Sequence, residues 1–428
     1  MVLIIENSHK ALRGDIAVPG DKSISHRAII CGALAEGETI IDNILLSEDV
    51  LNTIDCFKQM GVDIKIDGNR GLIHGVGLDG LVKPESPLNC GNSGTTMRLL
   101  SGVLVAQNFS TILIGDNSLI SRPMKRIIKP LSSMGGNIIG RGGEYPPLEI
   151  QSTKGLNGIV YELPIASAQV KSAIILASLY ASGKTTIIEN KITRDHTERM
   201  LNYFGQSIVK NNGEIIVAKK HKLIGQQIYI PGDISSAAYF IVAASIIKGS
   251  HIIIRNVGIN PTRDGIIEVL IQMGANINVF NKRIVNNEPI GNIEIKYSHL
   301  KACTIGGDII GRLIDEIPII VVAAALADGK TVIKDARELR HKETDRIKAM
   351  TMELNKMGAK IEELPDGMII NGVKSLKPAK LNSYGDHRIA MALSIAALCT
   401  NGKSAIEGFQ SVNISYPSFY KTLDNLIE

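Results

Sequence analysis

The 428-residue sequence has five cysteines, Cys31, Cys56, Cys90, Cys303 and Cys399, and no Cys-x-x-Cys pair among them. An odd count without close pairs argues against a disulfide framework and supplies no zinc-ligand spacing; a reducing cytoplasm fits it best. Charge of one sign is also scarce: 47 Lys and Arg stand against 42 Asp and Glu, a scattered net of +5. That is too mild to indicate a nucleic-acid surface. No apolar run approaches the roughly 20 residues of a membrane helix. The longest, such as Pro318–Ala327, read as buried helices. The start MVLIIENSHK lacks a signal-peptide pattern, so no secretory leader is expected. A Walker loop is missing too. The tripeptides Gly183–Thr185, Gly329–Thr331 and Gly402–Ser404 have Ser178, Ala324 and Ala397 where its first glycine belongs, and each follows a helical pattern. They read as helix-to-strand turns. What the chain does have is 44% apolar residues and length enough for two or three domains.

Internal self-similarity organises it. PGDKSISHRAIICGAL, from Pro19, is echoed by PGDISSAAYFIVAASI, from Pro231. Helical patterns close repeatedly on Met-Gly or Phe-Gly, at Gly61, Gly135, Gly205, Gly274 and Gly358, where a left-handed C-cap is expected. Their spacing of about 70 to 85 residues, with a final stretch of similar length, marks six units of strand, helix, strand, helix and further strands. The two Pro-Gly-Asp turns divide these into two three-unit domains, 21–230 and 1–20 with 231–428. The fold class is α/β. A chain crossing twice between domains is expected to form a two-stranded hinge that closes on ligand.

Four cation clusters sit where helix starts disfavour them. Lys22 and Arg27 follow the first Pro-Gly turn. Arg122 precedes Pro123, read as a first helical residue. Lys342 and Arg346 are placed one turn apart on a helix beginning in RHKETDRIKAM, and His387 and Arg388 head an apolar helix. One such cluster is an ordinary solvated helix end; four beside glycine-rich or Pro-Gly turns point to a substrate carrying several negative charges. GNSGTTMR, with Gly94, permits close backbone approach, with Ser93 or Asn92 as a plain cap. Ser167 and Gln169 start another helix, Ser167 again reading equally as a cap. Asp315 in RLIDEIPII and Glu343 in HKETDR are acid–base candidates, or simply members of ion pairs.

In order, PGDKSISHR, GNSGTTMR, SRPM, ASAQVKSA, TRDHTE, IDEIP, RHKETDR and GDHRIAM resemble the 5-enolpyruvylshikimate-3-phosphate synthase family over nearly the whole chain, and ASAQVKSA and TRDHTE resemble its second bacterial class. The resemblance implies two globular domains of three βαβαββ units each. It implies transfer of the enolpyruvyl group of phosphoenolpyruvate to the 5-hydroxyl of shikimate 3-phosphate, without cofactor or metal. By motif, Lys22, Ser23, Arg27, Ser167, Ala168, Gln169, Arg194, Asp315 and Lys342 would contact shikimate 3-phosphate, and Lys22 would be catalytic along with Asp315 and Glu343. Lys22, Gly94, Arg122, Gln169, Arg346 and Arg388 would hold phosphoenolpyruvate. Asp315 would take the hydroxyl proton, Glu343 would protonate the methylene carbon, and glyphosate would occupy the phosphoenolpyruvate site.

Two positions depart from relatives. Ile414 stands where some carry a phosphoenolpyruvate-contacting lysine, and Leu99 where the first class has proline. The alternatives are the related transferase acting on UDP-N-acetylglucosamine, which uses a loop cysteine absent from Gly115–Pro130, and a non-catalytic binder of phosphorylated metabolites. A cytoplasmic monomer is expected.

Overall fold

The computed structural model describes residues 2–7, 10–211, 213–219 and 222–427. They form two compact units: Gly20–Ile230 with Val285–Glu288, and Met1–Pro19 and Pro231–Ile284 with Pro289–Glu428.

The 20–230 unit holds α1 (Lys22–Leu34), α2 (Glu48–Gln59), α3 (Gly94–Leu104), α4 (Lys125–Ser133), α5 (Ala168–Ser178) and α6 (His196–Tyr203). The 231–428 unit holds α7 (Ile234–Ile246), α8 (Gly265–Gln272), α9 (Ile309–Leu313), α10 (Ile317–Ala325), α11 (Arg346–Lys356), α12 (His387–Leu398) and α13 (Phe419–Asp424). The helices fall into two kinds. α1, α3, α5, α7, α10 and α12 are apolar or small on nearly every side, and almost all their residues are buried. A helix with no polar face must be covered all round. α2, α4, α6, α8 and α11 bury one face only. Each unit therefore has three buried helices at its centre, each following a turn that bears one of the sequence motifs.

The sheets repeat one grammar. Val160–Glu162 runs parallel to Lys184–Ile188, which pairs antiparallel with Glu214–Ala218 and through it with Val209–Asn211. Leu88–Asn89 and Thr111–Ile114, and Thr304–Ile305 and Lys330–Ile333, open two further sheets of the same plan. Two sheets take their parallel strand from across a Pro-Gly-Asp turn. Arg13–Ala17 pairs with His251–Gly258, and Gln227–Tyr229 with Ala35–Asp42. The strand leading into each Pro-Gly-Asp helix thus belongs to the other unit's sheet, placing the turns where the chain crosses. The last sheet, Lys380–Asn382 with Gly402–Glu407, is completed by the N-terminal strand Val2–Asn7.

The closing glycines at 61, 135, 205, 274 and 358 all have φ between 84° and 96°, the left-handed caps the Met-Gly and Phe-Gly pairs predict. The hairpin between Asn276–Val285 and Glu288–Lys296 turns through Asn286 and Asn287, both at positive φ. Its tip joins the 20–230 unit: Asn286 Oδ1 accepts from Tyr229 N at 2.8 Å, and Glu288 Oε1 lies 2.8 Å from His196 Nδ1.

Candidate active site

In the 20–230 unit, three buried helix starts are cross-linked by side chains. Asp21 caps α1, accepting from Ile24 N at 2.9 Å. Lys22 Nζ lies 2.9 Å from Asp49 Oδ2 in the first turn of α2. Arg27, one turn on, is buried and reaches two other helices, donating from Nε to Thr197 Oγ1 at 2.7 Å and from Nη2 to Ser172 Oγ at 2.8 Å. Burial pulls its pKa down to about 10, against the field of Glu198 and Asp21, and the neighbouring charge of Arg194 works in the same direction as burial. Arg27 also donates to the Ser23 carbonyl at 2.9 Å, holding the first turn closed. His26, fully enclosed, is depressed to about 3 chiefly by burial and stays neutral, its Nδ1 2.7 Å from Thr53 Oγ1. Thr53 continues to Thr96 at 2.7 Å, and Thr96 to Ser93, the α3 cap, at 2.7 Å. This hydroxyl chain ties the starts of α1, α2 and α3 together.

At Gly94 a Cβ would lie 2.7 Å from Arg98 Nη1 and 3.5 Å from Arg122 Nη1. A side chain at Gly94 would thus have to displace the Arg98 guanidinium, while touching that of Arg122 only at ordinary contact distance. Arg98 donates to Gln169 Oε1 at 2.6 Å, and Gln169 Nε2 donates to Thr95 Oγ1 at 2.9 Å, fixing the amide at the head of α5. Ser167 caps α5, beside Ala168. Arg122 is held by Asn92 Oδ1 at 2.7 Å and Ser118 Oγ at 3.0 Å. Pro123 does not begin a helix: Arg122 ends a short 3-10 turn, Leu119–Ser121, and α4 starts at Lys125. Arg122 is positioned by a loop hydrogen-bond network, not by a helix N-terminus.

In the 231–428 unit the ionic groups form one cluster. Asp315 Oδ1 lies 3.3 Å from Lys342 Nζ and 3.5 Å from Arg346 Nη1, and its carbonyl accepts from Arg388 Nη1 at 3.0 Å. Arg346, 1% exposed, donates to Glu343 Oε2 at 2.6 Å and from Nε to Asp386 Oδ2 at 2.8 Å. Burial alone would lower the Arg346 pKa, but the charges of Asp386 and Glu343 outweigh it and hold the group above its ordinary value. Asp386 also caps α12, accepting from Arg388 N at 2.8 Å. Lys342 is not on the helix of Arg346. Arg337–His341 is a 3-10 turn, Lys342 is extended, and α11 begins at Arg346. The expected same-face pair is therefore absent, and Lys342 and Arg346 meet instead on the Asp315 carboxylate. Ile414 closes a 3-10 turn, Phe409–Ile414, and Leu99 is buried in α3.

Of the sequence-predicted residues, Lys22, Ser23, Arg27, Gly94, Ser167, Ala168 and Gln169 lie at the starts of buried helices of one unit, with Arg122 and Arg194 in loops of that unit; in the other unit Asp315 and Arg388 lie at the starts of buried helices, with Lys342, Glu343 and Arg346 at or just before the start of α11. Sequence reasoning missed Asp49, Arg98, Ser172, Thr197 and Asp386. Arg98 had a visible signal, lying one helical turn after Gly94. The others are ordinary cap or helix residues whose partners lie far along the chain.

Buried helix starts carrying fixed cations, with carboxylates among them, define an α/β enzyme handling small, multiply charged substrates. The family model described as EPSP synthase (3-phosphoshikimate 1-carboxyvinyltransferase) matches residues 7–423. The 3-phosphoshikimate 1-carboxyvinyltransferase of Thermoanaerobacter sp. strain X514 is 54% identical over 97% of this chain and 98% of its own. That of Geobacter sulfurreducens is 48% identical over 100% and 99%. The solved EPSP synthase of Acinetobacter baumannii superimposes with a TM-score of 0.91 at 46% identity, covering 100% of this chain and 98% of that one. The chain belongs to the EPSP synthase family. Its reaction is the enolpyruvyl-transfer step of the shikimate pathway, on the route to the aromatic amino acids.

Proposed function

We propose that this chain acts on phosphoenolpyruvate and shikimate 3-phosphate with the following division of labour. Lys22, Ser23, Arg27, Ser167, Ala168, Gln169, Arg194, Asp315 and Lys342 hold shikimate 3-phosphate. Gly94, Arg122, Gln169 and Lys22, with Arg346 and Arg388, take the carboxylate and phosphate of phosphoenolpyruvate. Asp315 accepts the proton of the 5-hydroxyl as its oxygen attacks C2 of phosphoenolpyruvate. Glu343 gives a proton to C3. The tetrahedral product then loses phosphate and a C3 proton, restoring the vinyl group.

One observation carries this reading. Asp315 stands among Lys342, Arg346 and Arg388, and Glu343 is bonded to Arg346. Two carboxylates inside a cation cluster weaken it as a simple anion receptor. They make sense where protons must move beside a bound anion. A binder of phosphorylated metabolites needs counter-charges for its resting cations, but Asp386 already supplies one to Arg346 with both oxygens, and such a binder has no use for the further, looser carboxylate of Asp315.

Phosphate release decides it. Phosphate should appear only when phosphoenolpyruvate and shikimate 3-phosphate are both present, and not when UDP-N-acetylglucosamine replaces the shikimate ester. Release with the sugar nucleotide, or none with the proposed pair, would overturn the assignment. Among the described residues no helix is long and apolar enough to cross a membrane. We read the protein as a cytoplasmic monomer, which light scattering at working concentration tests.

A further inference from the structure

The first Pro-Gly-Asp turn serves the substrate side. Its echo, Pro231–Asp233, leads into α7, and nothing in the reaction as described uses it. Asp233 caps α7, accepting from Ser235 N at 2.8 Å. Ser235 Oγ then donates to Glu316 Oε1 and accepts from Arg263 Nη2 at 2.7 Å. Arg263 Nη2 also lies 3.5 Å from Asp233 Oδ1 and 3.9 Å from Glu316 Oε1. The same oxygen, Glu316 Oε1, also lies 3.9 Å from Arg388 Nη1. Glu316 is 1% exposed, and its Oε2 is buried with no hydrogen-bond partner among the described residues. A buried carboxylate with an unsatisfied oxygen is an expensive feature for packing alone.

Its position explains the expense. Arg388 faces two carboxylates. It donates to the backbone carbonyl of Asp315 at 3.0 Å, while its Nη2 stays 3.9 Å from Asp315 Oδ2, beyond a hydrogen bond. Glu316 attracts the guanidinium at 3.9 Å, beyond a hydrogen bond, while Ser235 and Arg263 anchor the same carboxylate. We infer that Glu316, fixed by Ser235 and Arg263, is a positioning residue that keeps Arg388 off the Asp315 carboxylate, so that the cation remains available to phosphoenolpyruvate and the carboxylate to the hydroxyl proton. Without the Glu316 charge, Asp315 is the remaining strong attractor. Arg388 then closes onto it, occupying the cation and the base together.

This inference rests on the proposed roles of Arg388 and Asp315; native phosphate release from the two substrates checks the reaction first, and the turnover of Asp315→Asn checks the base separately. Glu316→Gln then tests the positioning role. The amide keeps the side-chain shape and can still accept from Ser235, but carries no charge. The expected result is a KM for phosphoenolpyruvate raised at least about tenfold and a kcat lowered by a similar factor. The calorimetric affinity for shikimate 3-phosphate should be unchanged, and the melting temperature equal to or above that of the native protein. A purely structural role predicts the opposite split, native kinetics from the isosteric amide, and that outcome overturns the inference. Should Glu316→Gln fail to fold, Ser235→Ala releases the same carboxylate more gently. A rise of about three- to tenfold in the phosphoenolpyruvate KM with unchanged shikimate 3-phosphate affinity supports the role, and an unchanged KM refutes it.

Discussion

Gly94→Ala probes how the substrate subsites proposed for the 20–230 unit are coupled. A Cβ at this position lies 2.7 Å from Arg98 Nη1, where ordinary contact begins at about 3.4 Å. The guanidinium must retreat by roughly 0.7 Å. A retreat along its 2.6 Å bond to Gln169 Oε1 would stretch that bond past the useful range, at about 3.2 Å. A hydrogen bond to a charged group contributes about 1.5–3 kcal/mol, so complete release of Gln169 would weaken ligand binding by about 10- to 150-fold. Arg98 ends in a flexible chain that can re-aim, so phosphoenolpyruvate should lose toward the small end of that range. Glyphosate, expected from the family resemblance to occupy the same subsite, is longer and meets the methyl directly. Overpacking of that kind costs about 1–3 kcal/mol more, a further 5- to 150-fold. Steady-state phosphate release should therefore show the glyphosate inhibition constant rising by a larger factor than the phosphoenolpyruvate KM. A double-mutant cycle with Arg98→Ala then isolates the route, because a Cβ that acts through Arg98 has little left to disturb once Arg98 is gone. Equal factors for inhibitor and substrate would sink the steric argument, and full additivity would sink the route through Arg98.

Asp315→Asn and Glu343→Gln should each lower turnover by at least about 10²-fold while calorimetry shows shikimate 3-phosphate still binding; near-native turnover in both would remove the acid–base pair. Lys171, wholly buried, lies 3.0 Å from Glu189 and 2.8 Å from Glu198. Lys171→Met, which leaves both carboxylates without their buried cation, should destabilise the 20–230 unit by about 3–5 kcal/mol in denaturant unfolding. His26 is held neutral, with its pKa depressed from 6.5 to about 3. The unfolded chain takes up a proton on this residue below pH 6.5 that the folded one refuses. The contribution is therefore intact above pH 6.5 and declines as pH falls toward 3, at up to about 1.4 kcal/mol per pH unit. His26→Gln should flatten the pH dependence of unfolding over that window, and an unaltered slope would contradict the neutral assignment.

The repeat grammar was legible because its signals are local. A helix closing on Met-Gly needs only a glycine that can reach positive φ, and Gly61, Gly135, Gly205, Gly274 and Gly358 all do. The cations were legible because Lys22 and Arg388 oppose the charge preference of a helix start, and an opposed preference stands out in a single sequence. Where the reading failed, a local rule met a tertiary constraint. Lys342 and Arg346 have the spacing of one helical turn, yet Asp345 caps α11 between them through Lys348 N, and Lys342 is drawn out toward Asp315. Pro123 looked like a helix opener, but Arg122 is needed against Asn92 and Ser118. The crossings at the two Pro-Gly-Asp turns were legible from the repeat, which put 1–20 with 231–428, but which strand each crossing segment pairs with was not, because a strand reads alike whichever sheet it joins.

The carboxylates that serve these cations were the least legible part. Cations buried for an anion that has not yet arrived need counter-charges in the resting protein. Asp49, Asp386, Glu316 and Asp315 supply them, but Asp386 at the head of α12 looks in sequence like an ordinary N-cap, which it also is. Only the distances sort these groups by role. Asp386 is fully buried, with both oxygens on Arg346 at 2.8 and 3.3 Å. Such a pair is permanent, and it fixes the direction in which Arg346 presents its remaining edge. Asp315 is looser, at 3.3, 3.5 and 3.9 Å from three different cations, and its side chain is 13% exposed. A carboxylate shared among several cations at long range loses little when substrate anions take those cations over. Of the carboxylates in the cluster, Asp315 is therefore more loosely held than Asp386, which suits the proton acceptor proposed for it.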